Sequence, residues 1–232
     1  MRSSPSTPAR TAPVKAVLFD AYGTLFDVHA AVARHAQEIG PQAERLSELW
    51  RVKQLEYCWV RSLAGAYRDF AELTRDALFY AAARCGGLNP ALLGRLLAAY
   101  ETLDAYPDAR PALAALKAKG AALAILSNGS PAMLGRAVEA ADLSDLLDAT
   151  ISVDEIGVYK TAPQVYALAT ARFGVAPDEV SFQSSNRWDI AGAARFGFRT
   201  VWVNRTGLPD EYRDLPPDRI VRGLDELAAV PD

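Results

Sequence analysis

Cysteine is scarce in this 232-residue sequence, and long apolar runs and an excess of positive charge are missing. Cys58 and Cys85 are the two cysteines. They are too few for a disulfide scaffold, so we expect a cytoplasmic protein with reduced thiols. No apolar run reaches the roughly 18 residues that a membrane-spanning helix needs. The net charge of −3 leaves no basic footprint for binding nucleic acid or an anionic membrane.

Acidic residues are absent before Asp20, and residues 1–13 are rich in Ser, Thr, Pro and Arg. This composition is typical of a disordered tail or of a transit peptide. We favour the disordered tail because no amphipathic face or secretory apolar region accompanies it. Half of the sequence is hydrophobic, which indicates a globular protein with room for one domain and an insertion.

Three short apolar runs each end in a polar cluster, a pattern that indicates buried parallel strands. The runs and their polar ends are 14–19 before Asp20, 122–126 before Ser127 and Asn128, and 180–182 before Gln183 and Ser184. Two further predicted strands, near 149–153 and over 199–203, alternate with helices. This order favours an α/β fold with a doubly wound, mostly parallel, Rossmann-like sheet. Its ligand site lies at the carboxyl ends of the strands, where these polar groups would meet.

The stretch between the first strand and residue 106 reads as helices instead. Apolar residues recur at spacings of three and four from Leu46 to Val60, and Asn89-Pro90 is typical of a helix start. We therefore predict a core domain formed by residues 14–27 and 106–232. An all-helical cap domain, residues 28–105, is inserted into it.

Residues 20–25 form the first group that can carry chemistry. Asp20 ends a buried strand, where an aspartate is either a solvated strand end or a nucleophile that forms an ester intermediate. Gly23 permits a tight turn, and Thr24 is placed to hold the carboxylate. These residues alone leave both interpretations of Asp20 open.

The pattern Asp-x-x-Gly-Thr-Leu at residues 20–25 resembles the first motif of the haloacid dehalogenase superfamily. Ser127, Lys160 and Asp189 follow in the order of its later motifs. The resemblance covers residues 14–230, and the presence of four motifs in the right order argues against a chance match. It implies the Rossmann-like core and helical cap already predicted from the patterns.

Two positions separate this chain from the phosphatases of the superfamily. Tyr22 stands where phosphatases have an aspartate as general acid, and Ser185 stands where they have an aspartate that helps to hold magnesium. Residues 49–57 and 184–189 resemble instead the cap helix and C-terminal signature of the L-2-haloacid dehalogenases. This branch implies hydrolysis of short L-2-haloalkanoic acids to 2-hydroxy acids with inversion, without metal or cofactor. A magnesium-dependent phosphatase-like hydrolase and a non-catalytic binding protein are the alternatives.

The resemblance also implies roles for individual residues. The implied catalytic residues are Asp20, Thr24, Arg51, Ser127, Lys160, Asn186 and Asp189. Asp20 attacks the substrate's C2 to form an ester that water then hydrolyses. Lys160 favours the ionised form of Asp20, and Asp189 orients Lys160 or the water.

The implied substrate- and halide-binding residues are Ala21, Tyr22, Arg51, Leu55, Phe70, Ser127, Asn128, Ser184 and Trp188. Arg51 reaches down from the cap to the departing halide, beside Asn128 and Trp188. Ser127 and the backbone N–H groups near residues 21–22 bind the substrate carboxylate. The large apolar residues in the set surround the alkyl group. Without the resemblance, Arg51 and Lys160 would be interpreted as surface cations and the apolar residues as core.

Two departures from the dehalogenase pattern and one surface feature complete the predictions. Thr161 replaces the usual proline after the lysine, which would loosen that loop. Val52 replaces a common glutamine, so we expect an apolar pocket group there and an altered halide or chain-length preference. The aromatic stripe of Trp50, Tyr57 and Trp59 favours a homodimer, although it could instead pack within its own chain.

Overall fold

A six-stranded, fully parallel sheet forms the centre of the computed structural model, which describes residues 12–229. The tail predicted over residues 1–13 therefore lies almost wholly outside the described residues. The strands are β1 (Ala16–Phe19), β2 (Ala122–Ser127), β3 (Ala149–Ser152), β4 (Val180–Ser184), β5 (Arg199–Val203) and β6 (Arg219–Val221). Their spatial order is β3-β2-β1-β4-β5-β6. Starting from β1, the chain adds β2 and β3 on one side of the sheet and then β4, β5 and β6 on the other. This is the predicted doubly wound α/β fold.

Helices occupy most of the remaining described chain. They are α1 (Ala30–Ala33), α2 (Ala36–Ile39), α3 (Ala43–Leu63), α4 (Phe70–Arg84), α5 (Pro90–Glu101), α6 (Ala109–Ala118), α7 (Pro131–Ala140), α8 (Pro163–Phe173) and α9 (Arg187–Phe196). Asn89 caps α5 by accepting a hydrogen bond from the Leu92 N–H at 2.8 Å, which confirms the predicted helix start. No helix within residues 12–229 is both long and apolar enough to cross a membrane.

The register of the sheet brings the predicted site residues to one edge. Phe19, the last residue of β1, pairs with Ile125 of β2 and with Gln183 of β4. The residues that follow these pairs therefore emerge side by side at the carboxyl ends of the strands. All four residues of β1 are buried, as expected for a strand covered on both faces.

Helices α1–α5 are inserted between β1 and α6. The segment that enters this insertion and the segment that leaves it are hydrogen-bonded to each other. Phe26 and Ala105 form an antiparallel bridge. The Asp27 N–H donates to the Asp104 carbonyl at 2.9 Å, and the Tyr106 N–H donates to the Leu25 carbonyl at 2.8 Å. The helical insertion thus joins the sheet through one short hydrogen-bonded neck.

The aromatic stripe predicted on α3 packs mainly within its own chain. Trp50 is buried, and its Nε1 donates to the Thr74 carbonyl on α4 at 2.8 Å. Trp59 contacts Trp188 edge-on, with ring centroids 5.5 Å apart. These two residues are therefore not the exposed dimer surface that the sequence suggested.

Gly129, in the turn between β2 and α7, has no room for a side chain. A Cβ there would lie 2.7 Å from the Tyr22 ring and 3.0 Å from the Leu134 side chain. We expect Gly129→Ala to destabilise the fold by about 1–3 kcal/mol. The exposed Gly135 on α7 has no atom within 4 Å of its would-be Cβ, so Gly135→Ala is the matched control and should stabilise by up to about 1 kcal/mol. Thermal unfolding would show opposite shifts in Tm; shifts of the same sign would contradict this packing.

Candidate active site

Asp20 lies just beyond β1 and is 4% exposed. Its Oδ2 accepts hydrogen bonds from Asn186 Nδ2 at 2.7 Å, from Thr24 Oγ1 at 3.0 Å and from Ser184 Oγ at 3.3 Å. Its Oδ1 has one donor among residues 12–229, Lys160 Nζ, at 3.0 Å. The two carboxylate oxygens are therefore unequal: Oδ2 is saturated with donors, and Oδ1 keeps lone-pair capacity for another partner.

The hydroxyl groups around Asp20 have fixed directions. Thr24 Oγ1 accepts the Ser185 N–H at 2.8 Å, and Ser184 Oγ accepts the Asn186 N–H at 3.1 Å. Each hydroxyl therefore has its own proton left for Asp20. The turn that allows this geometry is made at Gly23, whose φ of +94° confirms the predicted need for glycine there.

Lys160 is buried between two carboxylates. It is 1% exposed, and its Nζ lies 3.0 Å from Asp20 Oδ1 and 2.7 Å from Asp189 Oδ2. Tyr166 completes the group, because its hydroxyl donates to Asp189 Oδ1 at 2.8 Å. The four side chains carry a net charge of −1 when both acids are ionised.

The pKa values of this group follow from burial and charge. Burial opposes the charge of Lys160, but the carboxylates of Asp189 and Asp20 outweigh it and raise the pKa of Lys160. Burial raises the pKa of Asp189 to about 6; the Lys160 ammonium opposes this shift and the charge of Asp20 adds to it. Burial and the Asp189 charge raise the pKa of Tyr166. Lys160 therefore stays an ammonium, and Tyr166 stays a hydrogen-bond donor.

Tyr166 is a site residue that the sequence did not reveal. It lies on α8 between the buried residues Val165 and Ala169, and its ring contacts Phe182 and Phe198. By pattern it cannot be told from a core aromatic residue. Only the placement of its hydroxyl against Asp189 distinguishes it.

Several donors at the strand ends have no acceptor within residues 12–229. The Ser127 hydroxyl accepts the Gly129 N–H at 3.1 Å, but its own proton is not used. The backbone N–H groups of Ala21 and Tyr22 donate to no described acceptor. Asn128 Oδ1 accepts the Lys160 N–H at 3.0 Å, which leaves Asn128 Nδ2 free. These unspent donors suit an anionic ligand.

Arg51 brings a positive charge to the pocket from α3. Its Nη2 donates to the Tyr22 carbonyl at 3.0 Å and to Asn186 Oδ1 at 3.3 Å, and its Nη1 donates to Gln54 Oε1 at 2.8 Å. All three acceptors are neutral, and Arg51 forms no ion pair with any described residue. The sequence placed Arg51 at the site through resemblance alone, and the structure brings it there.

Aromatic side chains pack around Tyr22, two residues after Asp20. The buried Tyr22 ring lies 5.3 Å from Phe70 and 5.7 Å from Tyr100, a residue that the sequence did not single out. Leu55 is half-buried on α3, about one turn after Arg51, and Trp188 lies beside Trp59. The structure thus brings Tyr22 and Phe70 into direct contact, and Trp188 contacts the insertion through Trp59.

Val52 does not line the pocket, which corrects the sequence-based expectation. It is 57% exposed, although it directly follows Arg51, because adjacent helical residues point about 100° apart. Two hydrogen bonds lie just before Thr161 in its loop. The Tyr159 N–H donates to Ser62 Oγ at 2.9 Å, and the Lys160 N–H donates to Asn128 Oδ1 at 3.0 Å. The loosening expected from Thr161 stays a prediction.

No group of three or more His, Cys, Asp or Glu side chains in the described part of the chain is arranged to hold a metal ion. The two closest acids of the site, Asp20 and Asp189, are instead bridged by the ammonium of Lys160. Ser185, at the position where a phosphatase has a carboxylate, has a buried hydroxyl that finds no hydrogen-bond partner in the described part of the chain.

Comparison with known proteins places this site in a family. The model of the haloacid dehalogenase-like hydrolases matches residues 14–197. (S)-2-haloacid dehalogenase 1 of Pseudomonas sp. (strain CBS-3) is 52% identical over 216 residues, covering 93% of this chain and 95% of that protein. (S)-2-haloacid dehalogenase 4A of Burkholderia cepacia is 49% identical and covers 92% and 93%, respectively.

A solved structure agrees with the sequence comparison. The L-2-haloacid dehalogenase of Xanthobacter autotrophicus with chloropropionic acid covalently bound matches with a TM-score of 0.85. It is 39% identical, and the match covers 93% of this chain and 97% of that one. Sheet and helical insertion are both included in such a match. Since the family model and these relatives span most of the sequence, this chain belongs to the haloacid dehalogenase-like hydrolases.

Proposed function

We propose that this protein hydrolyses short L-2-haloalkanoic acids to 2-hydroxy acids, with inversion at C2, through an ester on Asp20. The observation that carries the proposal is the unequal hydrogen bonding of the two Asp20 carboxylate oxygens, near an arginine, Arg51, that forms no ion pair with a described residue. Three donors hold Oδ2, whereas Oδ1 is open apart from Lys160. The relatives named (S)-2-haloacid dehalogenase support the same reaction and substrate class.

The first step is displacement of the halide. Asp20 Oδ1 attacks C2 from the face opposite the halogen, the new O–C2 bond forms, and the halogen leaves with the electron pair of the broken bond. The Arg51 guanidinium and Asn128 Nδ2 stabilise the charge that develops on the halide, with Trp188 beside them. Tyr22 and Phe70 exclude water from the nucleophile.

The substrate carboxylate is held by hydrogen-bond donors at the strand ends that are not used within the described part of the chain. The Ser127 hydroxyl and the N–H groups of Ala21 and Tyr22 all lack acceptors within residues 12–229. A carboxylate fits such a set because it accepts several hydrogen bonds at once. This anchoring fixes the position of C2 over Asp20 and accounts for the preference for one enantiomer.

The second step is hydrolysis of the ester. Water attacks the carbonyl carbon of the Asp20 ester, and the charge that builds on Oδ2 meets Thr24, Ser184 and Asn186 as donors. Asp189, with its raised pKa, has the proton affinity to accept the proton of this water. Cleavage of the ester carbonyl–oxygen bond expels an alkoxide, which takes the proton back from Asp189 and leaves as the 2-hydroxy acid. The second proton of the water is lost to solvent, which restores the Asp20 carboxylate beside Lys160.

The proposed reaction needs neither metal nor cofactor. Ser185 supplies a neutral hydroxyl at the position where a phosphatase has a carboxylate, so a magnesium ion would lack that negatively charged ligand. A halide heavier than fluoride also leaves without protonation, so the absence of an acid at Tyr22 is no obstacle. Both points argue against the magnesium-dependent phosphatase alternative.

The helical insertion acts as a cap domain in this proposal. Residues 28–105 contain α1–α5 and supply Arg51, whereas residues 14–27 and 106–232 form the core domain that supplies Asp20. The chain passes between the two domains at the neck of Phe26 and Ala105. Movement of the cap about this neck would have to break cap–core hydrogen bonds such as that between Ser62 and Tyr159.

We also propose that the protein is cytoplasmic and dimeric. Both cysteines are free thiols, which suits a reducing compartment. Apolar side chains exposed on α3 and α4 form a candidate dimer surface: Val52, Val60, Leu63, Phe79 and Tyr80. Lys53 Nζ lies 4.9 Å from the centre of the Tyr80 ring, so the two helices present this surface together.

A dimer through this surface would be broken by Val60→Glu. Sedimentation velocity should show a dimer for the unaltered protein and a monomer for the variant, because a carboxylate would be desolvated at the interface. Ile220→Glu, which alters an exposed apolar residue on β6, is the matched control and should stay dimeric. Equal behaviour of both variants would contradict the assignment.

Halide release tests the proposed function. We expect chloride release from L-2-chloropropionate but not from the D-enantiomer, unchanged by EDTA and abolished in Asp20→Asn. The carboxamide cannot act as the nucleophile, although its shape is nearly the same. Release from both enantiomers, or release that requires magnesium, would contradict the proposal, and a phosphate-ester screen would then follow.

The pH dependence of ester hydrolysis tests the role of Asp189, because this step follows departure of the halide and does not enter kcat/KM. In a single turnover, the rate at which the 2-hydroxy acid forms from the ester should fall as pH decreases through the Asp189 pKa of about 6 and Asp189 gains a proton. Tyr166→Phe removes a donor that stabilises the carboxylate, which raises the pKa of Asp189 further. The acid limb of the hydrolysis rate should then move to higher pH by on the order of one unit. If Tyr166 only fills space, the hydrolysis rate would drop equally at every pH.

A further inference from the structure

The guanidinium of Arg51 is held without being neutralised. Its three acceptors are the Tyr22 carbonyl, Asn186 Oδ1 and Gln54 Oε1, all of them neutral oxygens. The closer a charged side chain comes to full burial, the more strongly it requires a partner of opposite charge, and Arg51 has none among the described residues. Its full charge is therefore available to an anion in the pocket, provided that the side chain stays in place.

Gln54 is the residue that fixes Arg51 from within the cap. It lies three residues after Arg51 on α3, so both side chains project from the same face of the helix. Gln54 is fully buried, and its Oε1 also accepts the Tyr100 hydroxyl at 3.1 Å. Its Nε2 donates to Thr74 Oγ1 at 2.7 Å.

The orientation of the Gln54 amide is determined by Thr74. The Thr74 hydroxyl donates its only proton to the Phe70 carbonyl at 2.6 Å, so towards Gln54 it can only accept. Gln54 must therefore turn its NH₂ group to Thr74 and its oxygen to Arg51. One chain of hydrogen bonds links the backbone of α4 to the guanidinium above the pocket.

We propose that Gln54 is a positioning residue for dehalogenation, which holds Arg51 over the halide through a neutral oxygen so that the guanidinium charge remains available to the leaving group. The inference rests on the proposed function, since it takes Arg51 as the group that stabilises the halide. A glutamate of the same shape would also hold Arg51, but it would cancel the charge. A residue without polar atoms would leave the charge but not the position.

The choice of leaving group provides a readout that a purely structural role would not move. Chloride is smaller than bromide, so its charge is more concentrated and its departure depends more strongly on a nearby cation. Weakening Arg51 should therefore slow chloride displacement more than bromide displacement. Binding of propionate, which has no halogen, should not change, because its carboxylate meets Ser127 and the N–H groups of Ala21 and Tyr22.

The experiment compares Gln54→Glu and Gln54→Met with the unaltered enzyme. We expect Gln54→Glu to lower kcat/KM for L-2-chloropropionate about 100-fold, in line with the loss of an electrostatic stabiliser. The fall for L-2-bromopropionate should be several-fold smaller, and the inhibition constant of propionate should stay within about twofold. Gln54→Met should shift the chloride-to-bromide ratio in the same direction by a smaller amount. If the Gln54→Glu protein does not fold, the chloride-to-bromide ratio of Gln54→Met tests the proposal in its place.

Gln37→Glu makes the same chemical change on the exposed surface of α2 and should leave all three values unaltered. Equal losses for both halides, with weaker propionate inhibition in parallel, would overturn the role of Gln54. Since all variants are measured against an active unaltered enzyme, that result would leave the proposed reaction standing. Failure of the unaltered enzyme to release halide would instead reject the proposed function itself.

Discussion

The buried ammonium of Lys160 is the constraint on which the rest of the site depends. A charge that is 1% exposed is tolerated only when it is paired, and both its partners come from other parts of the chain. Asp20 follows β1, and Asp189 lies on α9 beyond β4. The parallel sheet must therefore bring the two strand ends together before the lysine can be buried. Folding of the core and assembly of the site are one event.

Charge is divided between the two parts of the molecule. The core holds the net negative group of Asp20, Lys160 and Asp189, whereas the insertion contributes Arg51, a cation without an ion pair within residues 12–229. A substrate that lies between them has the nucleophile Asp20 on one side of its reacting carbon and the positive charge of Arg51, which stabilises the leaving halide, on the other. This separation of charge suits a displacement in which an anion attacks and another anion leaves.

Patterns along the chain predicted the elements that repeat a strong local signal. Buried strands such as β1 and capped helices such as α5 are each specified by a pattern of neighbouring residues, which can be recognised in the sequence. The strand β6 was missed because it has three residues and a mixed burial pattern. Val52 was assigned wrongly to the pocket, since resemblance gives a position in the chain but not the direction of a side chain. Tyr166 and Gln54 were missed because their importance lies in single polar atoms aimed at distant residues, which no periodicity records.

The central claim, that Asp20 is the nucleophile and that its ester is hydrolysed at the carbonyl, is tested most directly by oxygen labelling. A single turnover of L-2-chloropropionate, with enzyme in excess, would be run in ¹⁸O-water and followed by mass spectrometry. The ester route predicts that the heavy oxygen enters the peptide containing Asp20, while the 2-hydroxypropionate carries ordinary oxygen in its new hydroxyl. Heavy oxygen in that hydroxyl, with an unlabelled peptide, would show that water attacks C2 directly and would contradict the role of Asp20.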